Sequence, residues 1–525
     1  MDSFQQRQST VNPWIIAVTV LLPAFMVSLN TSVANVSLPH IAGGLSATSD
    51  EATWILTSYL GANAIILPIT GWMSLYFGRK HFLLASLVIF TISSEVCGTA
   101  FSLPMLILAR IVQGLSGGAL IPIAQAILLE SFPPERRGEA MAIYGLGVIV
   151  SPIVGPTLGG WITDNYSWRW VFHINLPMGV LATLLTQLFI EDPPYLKGGK
   201  SGKIDYVGFL LLAVSLGTLQ LILDRGQQDD WFSALWIRWA TGISIGSMIG
   251  FVLWETWVRY PIVDLRILTN RNFSVGILMA TIYGVILYGT LVMLPLFLEE
   301  LMRYPALQSG YAISPRGVGS VLSIAIAGRL ARRVDGRIMI VGGFLMLTIA
   351  GFMLGNLTLE ISMASVIWPN IVIGVAIGFI FVPLTTIAMG RLPLEWIGTA
   401  TGVYNLLRSM GSSVGISIVT TMLVRDAQMH QAILVSHLTP YDLPYREWLG
   451  HFQQLFLAHG DVVTASRKAY GAMYRLLVEQ STLYAFVDNF RLLGYLSFLA
   501  IPLTFLFKKT GKSGDSGASV SDRGA

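Results

Sequence analysis

The sequence predicts an all-α polytopic membrane protein of about fourteen transmembrane helices, arranged as two six-helix halves with two further helices inserted between them. Three observations lead there. The 525 residues are 54% hydrophobic and 12% charged, with a mean hydropathy of +0.65, about half the charge content of a soluble domain. Mostly apolar runs of about 18 to 27 residues recur along almost the whole chain, each long enough to cross about 30 Å of hydrocarbon. Finally, several short motifs occur twice, once early and once late, at corresponding places among those runs.

The spans are expected near residues 14–36, 52–76, 81–101, 104–130, 139–163, 170–190, 206–223, 234–256, 273–297, 309–328, 338–357, 363–390, 398–424 and 485–507, each limit good to about three residues. The first twelve residues are short and polar, and no A-x-A cleavage pattern follows the first run, which is expected to stay as a membrane helix. An even count puts both termini on one side. With that side taken as cytoplasmic, the inner segments hold about twenty Lys and Arg, among them Arg79, Lys80, Lys197, Lys200, Lys203, Arg332 and Arg333, against about eight outside. Both termini are therefore expected in the cytoplasm. The net charge of +4 is no footprint for nucleic acid, because its placement follows the membrane. Cys97 is the only cysteine, which excludes an intrachain disulfide and a cysteine-based metal site.

The repeats divide the chain. The loop Gly71 to Lys80, after the second span, has a counterpart in Gly328 to Arg337, after the tenth. Glu135-x-x-Gly138-x-Ala140 opens the fifth span and Glu395-x-x-Gly398-x-Ala400 the thirteenth; Gly155-x-x-x-Gly159 and Gly411-x-x-x-Gly415 follow in the same helices. The expected division is residues 1–190, an insertion over 191–272, and 273–525. The fifth span, with Gly147, Pro152, Gly155, Pro156, Gly159 and Gly160, would break as a soluble helix but is tolerated in a bilayer, where small residues let backbones touch. It is expected to bring the two halves together near the outer face, closing the path while the inner side is open. Residues 425–484 are expected as a long outer loop carrying a docked helical hairpin, with amphipathic runs near 445–459 and 465–483. His430, His437, His451 and His459 lie there without tight ligand spacing, so no metal is expected.

The motifs, taken in order, resemble the fourteen-helix drug:proton antiporter branch of the major facilitator superfamily. The resemblance rests on Leu29 to Pro39, Trp54 to Pro68, Gly71 to Lys80, Arg110-Ile-Val-Gln113-Gly114, Gly155-Pro156-Thr-Leu-Gly159-Gly160, and Asp164 to Pro177, and covers almost the whole chain. It implies efflux of small amphipathic organic compounds by alternating access, driven by protons, in a bacterial inner membrane and without a cofactor. It also implies, in Gram-negative hosts, a periplasmic adaptor protein and an outer-membrane channel as partners. This chain departs from the branch at Asn30, where aspartate is usual, and at Leu75 and Tyr76 in the loop motif; Glu95 is an acid that the pattern does not require.

Charged groups inside spans are expensive and mark function. Asn30, Glu95 and Arg110 each fall about six residues, or roughly 9 Å, inside the outer boundary of their spans. A buried Arg110 needs acceptors, which Asn30 and Glu95 supply if the helices face each other, and Gln113, one turn along the same face, shares its role; a structural arginine and packing polar groups are the plain alternative. Arg408 and Asn405 fall near mid-membrane in the thirteenth span, Arg316 is either a mouth charge or a snorkelling anchor, and Asp224 is either a vestibule acid or a structural boundary. Because Asn30 does not titrate, Glu95 or Asp224 must carry the proton, or the exchange is not proton-driven. No P-loop, metal-ligand cluster or activated nucleophile points to an enzyme. Two alternatives stay open: a facilitator or exporter of one metabolite or siderophore, and a non-transporting interaction or sensor protein.

Overall fold

The computed structural model describes residues 11–192, 205–259, 261–390, 392–458 and 461–508. Lys197, Lys200, Lys203 and His459 lie outside them. Among the described residues every regular element is helical.

The first half comprises α1 (Pro13–Val36), the short α2 (Leu38–Gly44), α3 (Ser49–Ile66), α4 (Thr70–Phe77), α5 (Arg79–Gly98), α6 (Leu103–Ser131), α7 (Arg137–Asn165), α8 (Trp170–His173) and α9 (Asn175–Phe189). Asn12 caps α1 by accepting from the Trp14 N–H, with Pro13 in the first turn where no donor is lost. Thr48 and Glu51 form a reciprocal capping box on α3. The second span is bent by 60° between α3 and α4, where Pro68 removes a backbone donor. The insertion is α10 (Tyr206–Arg225) and α11 (Leu235–Trp257). The second half comprises α12 (Arg271–Leu296), extended by a π-helical turn to Leu301, then α13 (Ala306–Ile313), α14 (Pro315–Leu330), α15 (Gly336–Leu354), α16 (Met363–Met389), α17 (Leu394–Val435), α18 (Leu443–Leu457) and α19 (Val462–Leu503).

Twelve of the described helices are long and apolar enough to cross a membrane, thirteen with the bent α3–α4 pair. The other expected span, 309–328, is broken at Ser314–Pro315 into pieces of 8 and 16 residues. The second helix of each half is thus the interrupted one. Packing repeats the same relation: α1 lies on α7 as α12 lies on α17, and α6 takes α3 and α5 as α16 takes α14 and α15. The inserted α10 packs on α11, and also on α3 of one half and α17 of the other.

One expectation is corrected. Residues 425–484 hold the expected helical hairpin, but its flanks are continuous with the membrane helices rather than a loop between them. Helices α17 and α19 are 42 residues each, about 63 Å at 1.5 Å per residue and twice the hydrocarbon thickness. Past the apolar part of α17 the sequence turns polar at Arg425 and Asp426 yet contains no proline or glycine up to Val435, so the helix continues. The expected run at 445–459 is α18, packed on α19, and the run at 465–483 is the first half of α19 itself. His430 Nε2 pairs with Asp488 Oδ2 at 2.8 Å and ties α17 to α19.

Candidate transport site

Two polar constellations stand in the apolar interior. The first surrounds Arg110, wholly buried on α6. Its Nη1 donates to Gln113 Oε1 at 2.6 Å and its Nε to the Ile55 carbonyl at 3.2 Å, and the guanidinium lies 4.2 Å from the Tyr59 ring centroid. Gln113 Nε2 donates to Ser94 Oγ at 2.5 Å and lies 3.5 Å from Asn30 Oδ1, which also accepts from Asn175 Nδ2 at 3.0 Å. The helix period joins Arg110 and Gln113, and α1, α5 and α9 bring up Asn30, Ser94 and Asn175. Asn175 was not among the expected site residues; the motif Asp164 to Pro177 contained it without marking its role.

Glu95 does not join this cluster. Consecutive helical residues point about 100° apart, so Ser94 faces Gln113 while Glu95 turns away and pairs with His173 Nδ1 at 2.9 Å, 42% exposed. Among the described residues no carboxylate pairs with Arg110, and desolvating a guanidinium without one costs several kcal/mol. The carbonyl, the amide and the aromatic faces of Tyr59 and Phe172 offset part of that cost.

The second constellation is a cavity between the halves. Val148, Ile149 and Pro152 of α7 line one side, and Tyr283 and Tyr288 of α12, Arg316 of α14, Phe381 of α16 and Arg408 of α17 line the other. Arg316 is neither a mouth charge nor a snorkelling anchor: it is 4% exposed and donates to Thr290 Oγ1 at 2.9 Å. The break at Ser314–Pro315 puts it in the first turn of α14, a position that hydropathy does not reveal. Arg408 lies 6.0 Å from the Phe381 ring centroid. The lining is aromatic and aliphatic, with two cations and no carboxylate among the described residues.

Below the cavity, the halves meet at the end that carries the short basic loops. Asn405 Nδ2 donates to Gln125 Oε1 at 2.6 Å, joining α17 to α6. Gly71 of α4 meets the backbone of Thr399, and Gly398 faces Ser74 and Arg79. Reciprocally, Gly138 meets Ala331, and Gly328 meets Ala142. Each copy of the Glu-x-x-Gly-x-Ala motif therefore packs against the other half's basic loop. Glu139 and Arg332 add an ion pair of 2.9 Å across this seam. Within the first half, buried Arg79 pairs with Glu130, Lys80 Nζ donates to the Gln187 carbonyl at 2.7 Å, and Gly78 takes φ +83° to turn into α5.

In this conformer the later glycines of α7 face the first half. Gly147, Gly155 and Gly159 do not touch the second half; they pack on Leu21, Ser32 and Val33 of α1. Gly138, Ala142 and Gly145, nearer the start of α7, are the ones that meet the second half. Pro156 is exposed, and a side chain at Gly160 would meet open space. Asp224 stands at the other end of the molecule, on α10, where its Oδ1 accepts from Gln220 Nε2 at 2.9 Å and Gln220 Oε1 accepts from Ser413 Oγ of α17 at 3.0 Å. Trp231 Nε1 donates to Thr421 of α17 at 3.1 Å, and Arg225 lies 4.9 Å from the Trp54 ring centroid of α3.

Comparison with known proteins agrees with this architecture. A family model described as "Major Facilitator Superfamily" matches residues 20–416. The multidrug export protein EmrB of Haemophilus influenzae is 38% identical over 435 residues, 82% of this chain and 84% of that one. The fatty acid resistance protein FarB of Neisseria gonorrhoeae is 33% identical over 94% of this chain and 96% of its own. Among solved structures, the proton:xylose symporter XylE superposes with a TM-score of 0.62 at 13% identity, over 94% of this chain and 95% of that one, a likeness of fold alone. The chain thus belongs to the Major Facilitator Superfamily and, within it, to the group of EmrB-like multidrug efflux proteins.

Proposed function

We propose that this protein exports amphipathic organic compounds, acidic ones above all, by alternating access, with proton influx as the driving reaction. The observation that carries this reading is the cavity between the halves, whose aromatic and aliphatic walls suit an apolar tail and whose Arg316 and Arg408 suit a carboxylate. Relatives named for multidrug export and for fatty acid resistance support it. The chain divides functionally at about residues 190 and 272, and the basic loops face the cytoplasm of a bacterial inner membrane. In that orientation the conformer is sealed inside by the seam of Gly71, Gly138, Gln125–Asn405 and Glu139–Arg332. Rocking the halves apart at this seam opens the cavity inward.

Arg110, Gln113, Asn30 and Asn175 hold the first half rigid around this motion. With no acid in their cluster, proton coupling falls to Asp224, whose hydrogen-bond chain through Gln220 reaches Ser413 on the moving α17. Protonation would make Asp224 a donor, which reverses the demand on the Gln220 amide and so on Ser413. One proton supplies about 2.3 kcal/mol per 100 mV, enough for a gradient of roughly fiftyfold. The α17–α19 extension is the surface for a periplasmic adaptor protein serving an outer-membrane channel. Export without proton coupling is the second reading, favoured by the acid-free Arg110 cluster. Proteoliposomes loaded with a pH dye test both: substrate-linked proton movement supports antiport, and transport that survives an ionophore with no proton movement refutes it.

A further inference from the structure

We infer that the buried cluster around Arg110 is a binding site for a halide-sized monoanion, a role separate from the export cavity. Arg110, Asn30 and Tyr59 are each 0–1% exposed, and each carries a polar atom without a hydrogen-bond partner: Arg110 Nη2, Asn30 Nδ2 and Tyr59 Oη. All three can donate, the Tyr59 hydroxyl also accepting, and one belongs to a cation. The remaining unpartnered atom nearby is the acceptor Asn175 Oδ1. The residues are contiguous: Gln113 binds Arg110 and approaches Asn30, Asn175 binds Asn30, the Arg110 guanidinium lies over the Tyr59 ring, and the Tyr59 hydroxyl lies toward Thr31, Asn30 and Asn63.

A group of donors around an uncompensated guanidinium selects an anion. A metal cation meets the positive charge of Arg110 and only two neutral acceptors, Asn175 Oδ1 and the Tyr59 hydroxyl. Water would satisfy a donor but leave the charge of Arg110 unbalanced. The headgroup of an amphipathic substrate would need room for its tail, and α3 and α6 are in backbone contact here, Gly114 meeting the Tyr59 carbonyl and Gly118 the Asn63 backbone. A compact monoanion satisfies the donors and neutralises the charge together, the task a carboxylate on α1 would perform if residue 30 were acidic.

The test uses the purified full-length chain in detergent, at constant ionic strength, with sodium chloride, bromide, formate or gluconate. Melting temperature is expected to rise saturably with chloride and bromide, by about 3 °C at a hundredfold excess over half-saturation, and not with gluconate. In Asn30→Asp the new carboxylate fills the site, so the melting temperature should no longer respond to chloride. In Tyr59→Phe, which removes one donor and keeps the ring over Arg110, half-saturation is expected at about tenfold higher chloride. Equal melting in chloride and gluconate, an unchanged chloride response in Asn30→Asp, or stabilisation by formate alone would overturn the assignment. None of these readouts involves transport, so the site stands or falls independently of the export reading.

Discussion

Replacing Arg408 or Arg316 by glutamine should weaken export of acidic amphiphiles and spare their uncharged counterparts. Two unit charges 4 Å apart interact by about 4 kcal/mol at the effective dielectric of a protein site. A cavity that opens to water retains about half of that, in line with the roughly 1.5–3 kcal/mol of a charge-assisted hydrogen bond. The substrate concentration for half-maximal transport should therefore rise about 10- to 100-fold for decanoate in either variant. For decanamide, which has the same tail and no charge, it should change by less than about threefold. Arg316→Gln costs little structurally, because Thr290 Oγ1 keeps its own bonds to the Ile286 and Leu287 carbonyls. The assay is uptake into inverted vesicles, with the acid and the amide measured on the same preparation. A variant that impairs both probes equally would refute the reasoning, since the arginines would then shape the cavity rather than read the headgroup.

Three further outcomes follow from the geometry. Glu139→Arg places like charges across the inner seam and should bias the protein toward the inward-open state, read as increased labelling of a cysteine introduced on the cavity side of that seam; adding Arg332→Glu should restore the wild-type level. Gly155→Leu forces a side chain into Ser32 of α1 and should lower thermal stability by about 3 kcal/mol with no change in substrate preference, because Gly155 packs on α1 and does not line the cavity. Asp224→Asn should abolish substrate-linked proton flux in proteoliposomes while Glu95→Gln leaves it within about twofold of wild type, and the reverse result would move coupling to the Glu95–His173 pair.

Where the reading from sequence held, it rested on quantities that a linear window captures. Apolar length located the spans, and duplicated motifs located the halves, because a repeat that survives in sequence also survives in packing: Gly138 and Gly398 turned out to lie on each other's basic loops. What failed depended on helical phase or on local breaks. Glu95 and Arg110 share a depth, yet one residue of phase decides that Ser94 faces the cluster and Glu95 does not. Arg316 looked like a boundary charge because the break before Pro315 leaves no mark on hydropathy. The outer segment failed for a third reason: loss of hydrophobicity at Arg425 ends a membrane span but not a helix.

The inner seam is built to be broken. Its glycines bring backbones close but remove the side chains whose burial would lock the halves, since a buried methylene is worth about 0.8 kcal/mol and glycine contributes none. Its ion pair is partly open to solvent, with Arg332 45% and Glu139 19% exposed, which limits it to about 1 kcal/mol. The Gln125–Asn405 hydrogen bond adds about 1 kcal/mol more. The polar part of the seam thus comes to about 2 kcal/mol, the same scale as one proton falling through 100 mV. A stronger seam would trap the sealed conformer beyond the reach of its driving force. On the opposite side, α10 holds α3 through Trp54 and α17 through Ser413, and Trp231 in the turn after it holds Thr421, so the insertion would keep the halves in register as the seam opens in the proposed cycle. Two helices beyond the twelve of the halves therefore bridge them, and in the proposed cycle a proton on Asp224 would alter the bridge's grip on α17.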